Sequence, residues 1–594
     1  MRGRFTSPVP TFTLYQSFNL PSLLLRSIPS DTFAGRFAFP HLRHIYNPRS
    51  RPESTYSTMT SSASSDSPAE RSQQPMLASQ RAKEANNDPP RFGFFPLGYK
   101  AAVGQWWASM SPAVAEHNVM SFVPYLQKPP THTQTGSAPV SAHQSSSSLN
   151  ADPAGAAKPV RTNSINDPYG PRAWYSNLIP LSGKGRALNE FSVERVGEDV
   201  EENMVMLHGY GAGLGFFYKN FEGMSRVKGW KIYALDMLGM GRSSRPPFKV
   251  HAKDQAGKIA EAENWFIDAL EEWRVLKKID KFTLLGHSMG GYMAVAYALK
   301  YPGHLNKLIL ASPVGIPEDP YAVQADMPDP EESSMANEFT QDQEDDIVNT
   351  SGKLKTNGDN NNFLNAKSKA DAAKKSDAKT PTRRPIPKWL SYLWDANISP
   401  FSVVRWSGPL GPRFASGWTS RRFSHLPVQE SEALHDYAYS LFRQRGSGEY
   451  ALAYILAPGA FARSPLIRRI HGVGRQPIPS PSQSSASTST TSVSGLKTLA
   501  KETGIPVVLM YGENDWMDIA GGYAAEQKLK EEKAKALKTA TDEEKKNENG
   551  SAKVVIIQKA GHHLYLDGWE QFNEVMREEM EETKRHTKKF RGVS

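Results

Sequence analysis

No cysteine occurs anywhere in the 594 residues. That excludes disulfides, thiolate metal sites and a cysteine nucleophile, and it fits a reducing compartment. Long apolar runs are missing too. No stretch approaches the roughly 20 residues a helix needs to cross a bilayer, so membrane contact would have to be peripheral. There is no G-x-x-x-x-G-K-[ST] phosphate loop. Histidines at metal-ligand spacing are also lacking: His41 and His44 stand in a basic leader, and His562-His563 has no suitably spaced partner. No metal and no cofactor are therefore expected. Acidic residues are scarcest at the start, where residues 1–62 hold seven arginines against Asp31 and Glu53 alone. Arginine-rich, serine-rich and acid-poor is the composition of a mitochondrial transit segment, with a basic tail as the alternative.

The whole chain carries a net charge of +10, which suits anionic partners. Nothing beyond that charge favours nucleic acid, so none is expected. Mean hydropathy is low, −0.53, because much of the chain is polar filler. Residues 63–90, 128–170 and 475–495 read as linkers rich in Ser, Pro, Thr and Gln, and 318–384 as a polar, disordered insertion. Residues 91–127 are aromatic, with short helices expected near 99–110 and 112–123, suited to a membrane interface or to packing on the core. The remaining stretches, 171–317 and 496–594, alternate between apolar runs and helical patterns. Strands are expected at 190–196, 204–207, 231–235, 282–285, 308–311, 507–511 and 553–558. Such alternation predicts an α/β fold, a mostly parallel sheet with helices on both faces. Residues 385–474, rich in aromatics, are expected to form a helical cap inserted after strand 6. A charged insertion is expected near 527–550.

Gly286-His287-Ser288-Met289-Gly290 follows one of these strands and precedes a helical run of small apolar residues. A strand turning into a helix through G-x-S-x-G is a nucleophile elbow, where glycines make room for a strained turn that exposes the serine. A serine hydroxyl is a weak nucleophile and needs a histidine base and a carboxylate to hold that base. In the α/β-hydrolase order these follow as acid, then histidine. Asp515 follows the strand at 507–511, with Asp518 as the second choice. His562 follows the last strand, with His563 as a weaker rival. The tetrahedral intermediate needs two N–H donors. The amides of Met289 and Tyr210 are the candidates, with Gly211 as the alternative to Tyr210, from the run His208-Gly209-Tyr210-Gly211-Ala212-Gly213.

Together with Tyr511-Gly512-x-x-Asp515-Trp516-Met517-Asp518 and Gly561-His562-His563-Leu564-Tyr565-Leu566-Asp567, these motifs resemble one α/β-hydrolase subfamily. It includes a lipid-droplet lipase coactivator, N-acyl-phospholipid lipases and a mitochondrial cardiolipin-specific deacylase, the last being most similar on account of the arginine-rich leader. The coactivator lacks the serine that this chain keeps, so the resemblance implies a phospholipase A-type acyl hydrolase, with cardiolipin converted to monolyso-cardiolipin on the matrix side of the inner membrane. It also implies an H-x-x-x-x-D pattern, His562 to Asp567, linked to lysophospholipid acyltransfer. Against that, Asp567 with Glu570 suits the N-cap of the last helix. A non-catalytic regulator of another lipase is the third reading. Residues 383–475 hold thirteen basic residues, twelve of them arginine, against five acidic ones. Arginine forks pair with phosphate, and Arg421 and Arg422 are the candidates for an anionic phospholipid headgroup.

Overall fold

The computed structural model describes residues 96–131, 159–318, 399–423, 425–457, 461–478 and 501–590. The expected transit-like segment, the linker 63–90 and most of the expected linkers and insertion at 132–158, 319–384 and 479–495 lie outside them.

Nine strands form one sheet: β1 (Val160–Arg161), β2 (Arg172–Pro180), β3 (Ala187–Arg195), β4 (Glu202–Leu207), β5 (Trp230–Leu235), β6 (Phe282–His287), β7 (Leu305–Ala311), β8 (Pro506–Gly512) and β9 (Ser551–Ile557). Their order is β1-β2-β3-β5-β4-β6-β7-β8-β9. The first three strands and the β3–β5 pair are antiparallel; every later pairing is parallel. Because side chains alternate along a strand, each parallel strand feeds two cores. Val205 and Leu207 enter one with Leu284 and Leu308, while Met204 and Met206 enter the other with Leu285 and Ile309. Burial on both faces explains why these strands read as continuous apolar runs.

Helices Gln255–Leu276, Met289–Lys300 and Ile519–Thr539 close the first core, and Tyr218–Met224 and Trp569–Phe590 the second. In Trp569–Phe590, Phe572, Met576 and Met580 are buried at four-residue intervals on one face. No helix among the described residues is long and apolar enough to cross a membrane.

Two expectations need correction, and a third is met. Residues 159–170 are part of the domain rather than linker: β1 pairs with β2, and Asp167 receives a two-pronged bond from buried Arg172, at 2.8 and 2.7 Å. The stretch near 527–550 is no insertion. It continues the crossover helix Ile519–Thr539 and adds a short capped helix, Asp542–Lys546; its charge is that of a solvated helix face. The cap helices, Pro400–Trp406, Gly411–Phe423, Val428–Phe442, Leu452–Ile455 and Leu466–Arg469, lie between β7 and β8. Counted from β2, that is after the sixth strand.

The aromatic segment packs on the domain, one of the two roles expected of it. Helix Pro112–Met120 buries Ala115, Glu116, Val119 and Met120 against the core. Helix Tyr99–Ala108 packs on the cap helix Gly411–Phe423, and its exposed rings Tyr99 and Trp107 accompany exposed Trp406 and Phe414 of the cap.

The last helix is pinned to the sheet by a buried charge. Lys307 of β7, 1% exposed, places Nζ 2.6 Å from Glu579 and 2.8 Å from Glu582. Removing one partner of a buried pair strands the other. Lys307→Met should therefore cost about 3 kcal/mol, the low end for such pairs, because Lys553 still reaches Glu579. Urea unfolding measures this; a loss below about 1 kcal/mol would show that the pair does not fasten the helix.

Candidate active site

Ser288 sits between β6 and helix Met289–Lys300 at φ 52°, ψ −115°, in the left-handed half of backbone space that side chains avoid at a cost of about 1–3 kcal/mol. What holds it there is its own carbonyl, which accepts from the N–H groups of Gly291, Tyr292 and Val314 at 3.0, 3.2 and 3.2 Å, while Ser288 N–H donates to Ala311. The two motif glycines are steric necessities. A Cβ on Gly286 would lie 2.3 Å from the Gly290 carbonyl oxygen, and one on Gly290 2.6 Å from that of Leu207.

Ser288 and Met289 share a pocket wall with Gly209, Tyr210, His562, Trp418 and Trp516; the pocket encloses about 500 Å³, its open mouth included. The ring of His562 has Nδ1 3.2 Å from Asp515 Oδ1. Asp515 is almost wholly buried and held on all sides: Met517 N–H donates to Oδ1 at 3.0 Å, Gly512 N–H to Oδ2 at 3.4 Å, and the Ser312 hydroxyl to Oδ2. A carboxylate oxygen in this place accepts the hydrogen bond from His562 Nδ1–H and leaves Nε2 as the acceptor nitrogen. Asp518 is elsewhere. It caps helix Ile519–Thr539, accepting from Ala520 N–H at 3.0 Å.

The neighbouring imidazoles do different work. His287 Nε2–H donates to the His562 carbonyl at 3.0 Å and so braces the loop that carries the ring. His563 Nδ1 accepts from Arg422 Nη1 at 3.0 Å. Both are kept neutral: burial, followed by the charges of His562 on one and Arg422 on the other, holds them well below the usual histidine range. His563 is therefore occupied with the cap. Sequence reasoning missed His287 and Ser312 as supports, and only their positions beside the elbow and at the end of a parallel strand could have signalled them.

The oxyanion candidates are near each other because β4 and β6 are neighbours. Tyr210, rather than Gly211, contributes to the wall, its ring stacked on Phe401 of the cap at 5.0 Å. Met289 is the first residue of its helix, where N–H groups lack intrahelical partners.

One expectation fails here. Asp567 is not the N-cap of the last helix. It ends the short helix Leu564–Asp567, and its Oδ2 accepts from Gly561 N–H at 3.0 Å, tightening the turn that carries His562. Arg421 and Arg422 do not line the pocket; Arg422 lies over the Trp418 ring and donates one hydrogen bond to His563. Other cap arginines are fasteners also. Arg405 pairs with Glu449, Arg468 with Glu318, Arg469 with Glu263 and Arg475 with Glu548, while Arg413, Arg445 and Arg463 donate to backbone carbonyls. Counting charge along the chain does not reveal these partners.

Comparison with known proteins follows the same lines. The chain is 29% identical to an Arabidopsis thaliana protein named 1-acylglycerol-3-phosphate O-acyltransferase, over 61% of this chain and 63% of the relative. It is 28% identical to the rat 1-acylglycerol-3-phosphate O-acyltransferase ABHD5, over 63% and 76%, and 26% identical to a mouse (lyso)-N-acylphosphatidylethanolamine lipase, over 63% and 78%. The match thus spans less than two thirds of the plant relative. Residues 202–568 match the alpha/beta hydrolase fold family. From the elbow at β6 to the histidine loop after β9, this chain belongs to the α/β-hydrolase family.

Proposed function

We propose that this α/β-hydrolase is a serine acyl hydrolase that removes a fatty acyl chain from a phospholipid. The observation that carries the reading is the strained Ser288 on the wall of the pocket that also holds His562, with Asp515 behind that ring at 3.2 Å. Ser288 Oγ attacks the ester carbonyl while His562 Nε2 takes its proton. The tetrahedral oxyanion is met by the N–H groups of Met289 and Tyr210. Collapse breaks the ester C–O bond, and His562 returns the proton to the departing lysophospholipid alkoxide. Water, deprotonated by the same nitrogen, then frees the fatty acid. Lipid names among the relatives support the substrate class.

Those names also support a second reading, transfer of the acyl group to a lysophospholipid hydroxyl. The placement of Asp567 weighs against a direct part for the His562–Asp567 pattern, since His562 Nδ1 is on Asp515 and Asp567 is on a backbone N–H. For the finer identity we propose an anionic phospholipid, cardiolipin first, at a mitochondrial membrane, the matrix face of the inner one. The acid-poor leader and the motif resemblance support this reading, and exposed Trp107 and Trp406 support peripheral contact.

Ser288→Ala should lower kcat for ester hydrolysis by about 10⁶, and Asp515→Asn by about 10⁴. Asp518→Asn should cost at most about 1 kcal/mol of stability through its cap and little turnover. A Ser288→Ala enzyme near the wild-type rate, or a reversed order for the two aspartates, would overturn the assignment.

Vesicles decide the lipid. Fatty acid release should be faster from cardiolipin vesicles than from matched phosphatidylcholine at low salt; equal rates would leave a general phospholipid hydrolase.

Asp567 has its own signature. Burial pushes its carboxyl up to about 6 from an ordinary 3.8, with the Gly561 N–H, Arg422 and His562 pulling it back and the Asp515 charge adding to the push. A carboxyl raised in the fold contributes stability fully below its unfolded value, and that contribution is lost as pH rises through the folded one. Asp567→Asn drops this titration. Its melting temperature relative to wild type should therefore climb from about pH 4 to pH 7, with turnover per folded molecule little changed. Acyl-CoA-dependent transfer to a lysophospholipid that vanishes in Asp567→Asn would favour the second reading instead.

A further inference from the structure

Glu116 lies in helix Pro112–Met120, well before the stretch that matches the hydrolase family, yet it is 2% exposed inside the domain. Arg242 Nη1 donates to its Oε1. Its other oxygen, Oε2, accepts from Asn189 Nδ2 at 3.0 Å and from the Tyr437 hydroxyl at 3.4 Å. Both of these partners lead onward to one place. The same Asn189 nitrogen lies 2.8 Å from Asp236 Oδ2, and Asp236 Oδ1 accepts from Leu214 N–H at 2.7 Å. The Tyr437 oxygen accepts from Gly215 N–H at 3.3 Å. Leu214 and Gly215 open the turn that immediately follows the glycine loop carrying Tyr210.

The loop's end is gripped from both sides. A Cβ on Gly213 would lie 2.3 Å from the Tyr437 oxygen and 3.1 Å from Asp236 Oδ1. Its beginning is set separately, by His208 Nδ1 against the Gly209 carbonyl at 2.7 Å and by His208 Nε2 accepting from Met237 N–H at 3.1 Å. The Arg242 backbone N–H adds a further bond to Asp236. Glu116 is thus the point where a core strand, a cap helix and the N-terminal helix meet, two hydrogen bonds from the turn that ends the oxyanion loop through Tyr437 and three through Asn189 and Asp236.

We infer that Glu116 is a positioning residue for catalysis: through Asn189–Asp236 and through Tyr437 it sets the C-terminal end of the Gly209–Gly213 loop and hence the aim of the Tyr210 amide. This rests on the reading of Tyr210 as an oxyanion donor to an ester cleaved by Ser288. Burial pushes the Glu116 carboxyl up to about 7 against the pull of Arg242, with the Asp236 charge adding to the push. It therefore sits between its charged and neutral forms near neutrality, whereas a glutamine carries one fixed form.

The test uses the full chain and a soluble short-chain ester, with rates expressed per folded molecule from circular dichroism well below the melting point. Glu116→Ala should lower kcat about tenfold, a fraction of the 10²–10³ that loss of an oxyanion donor costs, while KM stays within about twofold. Glu116→Gln can keep its oxygen toward Asn189 and Tyr437 and loses only the Arg242 contact, so it should restore most of kcat while melting lower than wild type. A purely structural fastening would lower the melting point in both variants and leave kcat per folded molecule alone. That result, or a rise in KM with kcat unchanged, overturns the inference. If Glu116→Ala does not fold, Tyr437→Phe decides. It keeps the ring and removes one route, and a fall in kcat of about threefold at constant KM supports positioning, while an unchanged kcat refutes it. Ser288→Ala run alongside separates the two levels, since residual ester cleavage there would sink the serine mechanism itself.

Discussion

The left-handed backbone at Ser288 is the constraint on which the rest of the structure depends. A single residue at φ 52° stores energy that the surroundings must return, and they do so through three N–H groups converging on one carbonyl. That arrangement forces helix Met289–Lys300 to start within bond distance of β6, which in turn presses the helix start onto the end of β4. The Gly290 backbone has no room for a Cβ beside the Leu207 carbonyl. The close approach of β4, β6 and the helix places the Tyr210 loop against Met289. Continuing outward, the ends of β7, β8 and β9 deliver Ser312, Asp515 and His562 in spatial order. The candidate site is thus the common edge of five adjacent parallel strands, where loops at their C-terminal ends converge.

Electrostatics then divides labour among residues of one type. His287, His562 and His563 sit ring to ring, 4.8 to 5.5 Å apart. Only His562 has a carboxylate partner on its ring. The Arg422 cation beside the other two disfavours a second and third positive charge. Burial, followed by the charges of His562 and Arg422, keeps the two imidazoles neutral and therefore able to serve as hydrogen-bonding braces rather than competing bases.

What could be seen in the sequence follows from how local each signal is. Parallel strands buried on both faces are continuous apolar runs, so β4 to β9 were visible within a few residues of their true ends. The elbow, the acid loop and the histidine loop each follow such a run and were visible with them. β1 and β2 were missed because they are held by antiparallel pairing with a neighbour; Arg172–Pro180 mixes polar and apolar residues and ends at a proline. The 527–550 stretch reads as a charged insertion because an exposed helix has little apolar content to show. Asp567 fits a cap by spacing, yet its carboxylate turns back six residues to Gly561. The arginines of the cap could be counted but not paired, since their acids lie far off in the chain, as with Arg469 and Glu263.

The same distance in sequence hides the role of the N-terminal helices, and magnitudes say how they are joined. Helix Tyr99–Ala108 is tied to the cap by Gln105, which reaches Asp436 at 2.6 Å and His435 at 3.1 Å, and by Leu97 N–H on Ser416. Such bonds are worth about 1 kcal/mol each, or about 1.5–3 where a charge is involved. Helix Pro112–Met120 is tied to the core by Glu116 and Arg242, a buried pair whose separation costs about 3–5 kcal/mol by leaving a charge unpaired. Only a short turn, Ser109 to Ser111, separates the two helices. The cap also holds the second helix directly, since the Tyr437 hydroxyl of helix Val428–Phe442 donates to Glu116 Oε2 at 3.4 Å. Both N-terminal helices are thus fastened to the cap, and through Glu116 the second one also joins it to the core strand that carries Asn189.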